Sequence, residues 1–443
     1  MIMQRVCVIG AGSSGIAAAQ VLQARGIEFT CFETGSRVGG NWRYDNDNGM
    51  SSAYRSLHIN TSRQQMEYAS FPMPATLPDY PSHTQIAAYF DSFVEHFGLH
   101  RHIRFQTEVT NVRPEPGGGY QVTTRSTVDG SEQTERFRAV LVANGHHWDP
   151  RWPEPAFPGA DTFSGAQLHA HHYRTPDVLV GKRVLVLGFG NSACDIAVES
   201  SRVVDRTLLA FRRGEYVLPK YFFGRPTDTL SSPFLTRTLP MFARRLLLGA
   251  FLRLKIGKMS DYGLPDPQHK LFAAHPTVSE DLLSRLGHGD IQIRPNIARF
   301  EGDTVHFTNG TSEPVDLVIY CTGYRITFPF LGEDIIKPVD NHIDLYRRIA
   351  SVDHPGLYFI GLIQPLGAVM PLAEAQASWI ADLLDGTTTL PSQDTMRRSI
   401  ADYQRAQRKR YVASKRHTIQ VDFHPYLHEL TQDRRTRHRQ PHP

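Results

Sequence analysis

The sequence is poor in cysteine. Its 443 residues include four, Cys7, Cys31, Cys194 and Cys321, and no two are spaced as CxxC. That spacing argues against a zinc knuckle and a dithiol redox centre. Cys7, Cys31 and Cys321 fall in or beside apolar runs, where a thiol acts as a small hydrophobe. No run of about 18 apolar residues occurs, so no membrane span is expected. Charge of one sign is nearly lacking too: 48 Lys and Arg against 44 Asp and Glu leave +4. No global field therefore points to nucleic acid. An apolar run begins at Val6, so no signal peptide is expected before it, and a reducing cytoplasm is the expected compartment. The length suggests two domains rather than one core.

What is present is glycine at particular spacings. Val6 to Ile9 is followed by Gly10-x-Gly12-x-x-Gly15, an alanine-rich helical pattern to Arg25, and a second apolar run, Ile27 to Phe32, ending on Glu33. Strand, GxGxxG, helix, strand and acid in that order make a dinucleotide site. The glycines let backbone approach a diphosphate, the helix read from Ile16 would face it with free N–H groups, and Glu33 can accept from a ribose diol. Gly40, Asn41 and Trp42 follow in GGNW, where a flat ring could lie on Trp42. The polar stretch from Tyr54 to Phe71 reads as a cleft lining with Asn60, Thr61 and Ser62 as uncharged hydrogen-bonding groups. Ser82 is placed to cap a helix ending near Gly98, with an aromatic stripe read as core. Three short antiparallel strands are expected between Ile103 and Arg138, then a buried strand, Ala139 to Gly145.

The opening pattern repeats at Val184 to Leu187, followed by Gly188-x-Gly190-Asn191-Ser192-Ala193 and the helical run through Cys194 and Asp195. The next strand ends on Arg212-Arg213 instead of an acid, which suits the 2′-phosphate of NADPH over the free hydroxyl of NADH. Two dinucleotide units imply a flavin and a nicotinamide exchanging hydride. The stretch 230–259 alternates Leu and Phe with Arg and Lys; it is expected to be a helical insertion, either a lid over the substrate entrance or a peripheral contact with an anionic membrane. His169, His171 and His172 lack a second ligand cluster, so no metal is expected. A helix from Met370, with Glu374 in its first turn and Gln364 in the turn before it, would aim its dipole at the cleft. The basic tail is expected to be ordered only to about Asp433.

One more pattern lies between these motifs: Phe163-x-Gly165-x-x-x-His169-x-x-x-Tyr173. With GAGSSG, GGNW, the Asn60 segment, GFGNSACD, CTGY and GLIQPLGAVMPLAEAQ, the chain resembles the flavin-containing monooxygenases along almost its whole length. Closure of the fingerprint on Tyr173, rather than on Trp, favours the heteroatom-oxidising branch over the Baeyer–Villiger branch. The resemblance implies an α/β fold of two Rossmann-like dinucleotide-binding domains of the three-layer ββα type. The FAD domain would span 1–165 and 320–443, and the NADPH domain, 166–319, would be inserted into it, with a helical sub-insertion near 225–265. It implies FAD on Gly10, Gly12, Ser13, Ser14, Gly15, Glu33, Asn41 and Trp42. NADPH would sit on Gly188, Gly190, Ser192 to Asp195 and Arg212. Asn60 would be the catalytic asparagine beside flavin and nicotinamide. Gly40, Ile59, Thr61, Val109, Asn191, Arg213 and Gln364 complete the candidate cofactor-binding set.

The implied reaction is NADPH-dependent oxygenation of an amine nitrogen or a sulfide sulfur through a C4a-hydroperoxyflavin, with molecular oxygen as cosubstrate and NADP+ retained. Baeyer–Villiger oxidation of ketones and a non-catalytic flavin- and NADP-binding sensor are the alternatives. The expected partners are a small-molecule substrate and a second copy of the chain in a homodimer, with no nucleic acid.

Overall fold

The computed structural model describes residues 5–230, 241–411 and 418–437. These divide into two compact units: one takes 5–53, 57–149 and the described residues from Arg325 onward, the other Tyr54–Ser56 and Pro150–Tyr324.

The first unit is built on a five-stranded parallel sheet in the order Leu357–Phe359, Ala139–Val142, Val6–Ile9, Phe29–Phe32, Ile103–Arg104. The first four of these strands are buried throughout, as a parallel sheet covered on both faces requires. The sequence turns sharply off the central strand because Gly10 adopts φ +96°, where a Cβ would stand 2.8 Å from the Ala143 carbonyl oxygen. A Cβ on Gly15 would stand only 1.8 Å from the Gly10 oxygen, so glycine lets the Ser13–Ala24 helix start directly against the strand end. The Met370–Leu384 helix packs beside that helix. Its fully buried Asp382 is paired with Arg25 and Arg434. Ser82 caps the His83–His96 helix in a reciprocal box with Gln85, and Ile86, Tyr89, Phe90 and Phe93 are buried as its apolar stripe predicts. Thr107–Pro114, Tyr120–Ser126 and Glu132–Phe137 form the antiparallel meander.

The C-terminal helix, Phe423–Arg437, runs past the point where the tail was expected to lose order. Its acids supply the reason. Asp433 accepts Nε and Nη2 of Arg347, each at 2.8 Å, and Glu429 pairs with Arg347 and Arg348. Residues 438–443 lie outside the described residues.

The second unit repeats the plan: a parallel sheet ordered Ile291–Arg294, Thr207–Ala210, Val184–Leu187, Leu317–Tyr320, Ala166–His169. Gly188 takes φ +136°, and its missing Cβ would lie 2.6 Å from the Cys321 oxygen. Pro150 to Gly165 pack with this unit: Phe163 stacks obliquely on Phe300, with ring centroids 4.7 Å apart, in the core of this sheet. Tyr54–Ser56 also pack here. Within the basic stretch, Met241–Lys255 is a helix. Leu252 joins Leu218, Phe222 and Leu271 in a small core, while Leu246, Leu247 and Leu254 stay exposed. Residues 231–240 of the same stretch lie outside the described residues.

Cys7, Cys31 and Cys194 are buried and Cys321 half-buried, and none of the four is in a disulfide. Among the described residues no helix is long and apolar enough to cross a membrane.

Candidate functional site

In the first unit the Gly10–Gly15 loop delivers the Ser13–Ala24 helix with Gly12 at its N-cap, and no side chain caps it. Its first backbone N–H groups are therefore left for a ligand anion. Glu33, at the end of the neighbouring strand, is 4% exposed. Its Oε2 accepts the Ala11 N–H at 2.7 Å and its Oε1 the Gly35 N–H at 2.9 Å. Burial pushes its carboxyl above the usual carboxylate value, against the pull of those two donors. A hydroxyl donor would offset that desolvation. The Gly40–Trp42 turn lies against the loop, since a Cβ on Gly40 would come 3.1 Å from the Gly12 Cα. Trp42 is half-buried. The Asn41 side chain has a different occupation: its Oδ1 accepts the Ser52 N–H at 2.8 Å and Oγ at 2.7 Å, holding the chain just before residue 54.

Asn60 is half-buried, and its carboxamide makes no hydrogen bond among the described residues. Its neighbours are fixed: the Ile59 N–H donates to Pro81 O at 3.0 Å and the His83 N–H to Leu57 O at 2.9 Å. Ile59 and Thr61 are themselves buried. Glu374 is not in the first turn of its helix, because the helix starts at Met370 and that turn holds no acid. Its carboxylate instead accepts the Ala69 N–H at 2.6 Å and the Ser70 N–H at 3.2 Å, anchoring the far end of the Asn60 segment. Val109 packs in the hydrophobic core with Val112 and Phe137. Gln364 is half-buried on a short strand paired with Gln420–Asp422.

In the second unit Gly190 is the N-cap of the Asn191–Ser200 helix, again with no side chain capping it. Asn191 Oδ1 accepts the Val278 N–H at 2.9 Å and so braces the loop. Ser192 is exposed, while Ala193 and Cys194 point into the core. The Asp195 carboxylate accepts the Tyr54 hydroxyl at 2.6 Å. Arg212 and Arg213 are exposed at the end of the Thr207–Ala210 strand and form no ion pair or hydrogen bond among the described residues. His169 Nδ1 accepts the His171 N–H at 3.1 Å, and burial pushes the His169 imidazole down to about 4. It is a neutral ring bracing a turn.

The sequence reading missed two residues. A Cβ on Gly361 would come 2.0 Å from Ser14 Oγ, so this glycine stands over the Gly10–Gly15 loop and the helix start behind it. The signal was a glycine ending a strand, as at Gly10. Tyr54 carried no local signal, because its partner is far away in sequence.

Both units thus offer a bare helix N-terminus behind a glycine turn, one flanked by a buried acid and the other by unpaired arginines. Those donor sets fit a flavin dinucleotide and a 2′-phosphorylated nicotinamide dinucleotide respectively.

The model of the family described as flavin-binding monooxygenase-like matches residues 3–438. Flavin-containing monooxygenase 5 of Oryctolagus cuniculus is 37% identical over 439 residues, 96% of this chain and 82% of that protein. Dimethylaniline monooxygenase [N-oxide-forming] 2 of Pan troglodytes is 35% identical over 441 residues, 96% of this chain and 82% of that protein. Among solved structures, S-allyl-L-cysteine S-oxygenase from Allium sativum superposes with a TM-score of 0.73 at 26% identity, covering 98% of this chain and 91% of that one. A match that takes in both glycine loops, at this identity and coverage, makes the chain a member of the flavin-binding monooxygenase family and an FAD- and NADPH-dependent monooxygenase.

Proposed function

We propose that the chain oxygenates soft, uncharged nucleophiles, the nitrogen of an amine or the sulfur of a sulfide, using NADPH and molecular oxygen. The observation that carries this reading is the carboxamide of Asn60, without a partner among the described residues, on a segment pinned at both ends. FAD, held by Gly10 to Gly15 and Glu33, supplies oxygen activation when bound. NADPH is assigned to the Gly188–Gly190 loop, with Arg212 on its 2′-phosphate. The protein contributes placement and exclusion of water. Asn60 donates and accepts without titrating, so it can orient a reactive oxygen without delivering a proton to it. Two relatives, one named for forming N-oxides and one for oxygenating sulfur, support the heteroatom reading.

Ketone oxygenation is the competing reading. A screen of a tertiary amine, a thioether and a cyclic ketone, following NADPH loss and hydrogen peroxide together, tests it. The true substrate class suppresses peroxide, and a ketone that alone does so overturns the proposal. A reducing cytoplasm and a homodimer complete the reading. Four cysteines, none in a disulfide, support the first, and sedimentation of the purified protein tests the second. The exposed leucines of Met241–Lys255 keep both a lid and a peripheral membrane contact within it.

A further inference from the structure

The chain leaves the first unit after Ala53, spends three residues in the second, and returns at Leu57. Asn60 follows three residues later. The excursion is tightly held. Tyr54 is 6% exposed, and its hydroxyl donates to Asp195 Oδ2 at 2.6 Å. Its ring packs against Tyr173, with centroids 6.0 Å apart. The Arg55 N–H donates to Arg174 O at 2.9 Å. Tyr173, fully buried, donates in turn to Glu199 Oε2 at 2.6 Å. Asp195 and Glu199 lie one helical turn apart, on one face of the Asn191–Ser200 helix. That face therefore presents two carboxylates, each engaged by a buried phenol. The N-terminus of the same helix is the one Gly190 leaves bare.

A carboxylate on this helix would repel a diphosphate if it were free to turn toward it. Asp195 is instead spent on Tyr54. On the other side of the excursion the chain has no slack, because Leu57 O and the Ile59 N–H are both bonded to the segment 81–83. A shift of the helix is therefore passed to a short, taut piece of backbone that ends at Asn60.

We propose that Tyr54 is a positioning residue: its bond to Asp195 straps the Asn191–Ser200 helix to the backbone that carries Asn60, so that nucleotide settling on the helix is transmitted to Asn60. This rests on the reading of the Gly188–Gly190 loop as the NADPH site.

Hydrogen exchange of the FAD-loaded protein with and without NADP+ separates the two. In the wild type, NADP+ slows exchange in residues 188–200 and also in 57–62. Tyr54→Phe, which keeps the ring on Tyr173, retains the first protection and loses the second. Its peroxide yield per NADPH rises about tenfold, the scale of one hydrogen bond to a charged acceptor. Asp195→Ala behaves alike, and the double variant loses no more than either single one, as expected for one shared bond. Wild-type protection at 188–200 without any at 57–62 overturns the strap alone. So does a Tyr54→Phe protein that keeps both protections and wild-type coupling. No wild-type protection at 188–200 overturns the NADPH assignment and the strap with it.

Discussion

The Glu33 carboxylate accepts the Ala11 N–H at 2.7 Å, so the acid at the end of the second strand is bonded to the glycine turn at the end of the first. Two consequences follow for the flavin site, one in affinity and one in protons.

Burial raises the Glu33 pKa. The unfolded chain loses this proton near the ordinary carboxylate value, the folded apoprotein only at higher pH. Between the two, Glu33 lowers stability as pH rises. Ribose hydroxyls that donate to the carboxylate reverse the shift, so FAD binding releases a proton in that window. Calorimetry in buffers of different ionisation enthalpy measures it. Glu33→Gln abolishes the release and weakens FAD retention about tenfold. An unchanged proton count in that variant assigns the release elsewhere.

Arg212 is exposed and without a protein partner among the described residues. A charge-assisted contact to phosphate is worth about tenfold or more in affinity. Arg212→Ala therefore raises the KM for NADPH about tenfold while leaving that for NADH near its starting value. Equal losses for both coenzymes contradict a 2′-phosphate contact.

Asn60→Ala removes a side chain that nothing in the described protein holds. Folding and flavin content should be unchanged, so the effect is chemical. NADPH is still consumed, product per NADPH falls about tenfold or more, and hydrogen peroxide accounts for the difference. Asn60→Asp, which adds a titratable group, uncouples more strongly as pH falls. Near wild-type product yield in Asn60→Ala removes this residue from the mechanism.

Asp433 takes Nε and Nη2 of Arg347, whose Nη1 is bonded to Glu429, and Arg347 itself holds a left-handed φ of +54°. Asp433→Asn leaves Glu429 as the one carboxylate serving both Arg347 and Arg348. The expected loss is about 3 kcal/mol in urea unfolding. Asp402→Asn, on an exposed helix pair with Arg405, is the control and should cost under about 1 kcal/mol. Similar small losses in both would mean the C-terminal helix contributes little.

Much of this was legible in the sequence because it is local. Four buried residues, a glycine turn and a helix make a signal readable at Val6 and again at Val184, and the acid or arginine that closes each unit sits at a strand end. The capping of the helix at Ser82 and the meander from Thr107 follow the same logic. What escaped depends on contacts distant in sequence. Nothing near Tyr54 announces Asp195. Nothing in the GGNW turn says that Asn41 grips Ser52. Nothing between Pro150 and Gly165 announces the second unit until Phe163 is seen on Phe300, and the basic tail hides the two acids that dock it. Side-chain occupation of a motif residue is likewise invisible: Asp195 lies within the second nucleotide motif, yet a phenol takes its carboxylate.

The thiols have a chemical consequence. Oxidants attack the thiolate. Burial drives the Cys7, Cys31 and Cys321 thiols far up in pKa, with the negative charge of Asp195 adding to it at Cys321. Should unproductive turnover release hydrogen peroxide, these three thiols meet it in the unreactive protonated form. Slow self-inactivation during unproductive turnover should therefore fall on methionine before cysteine.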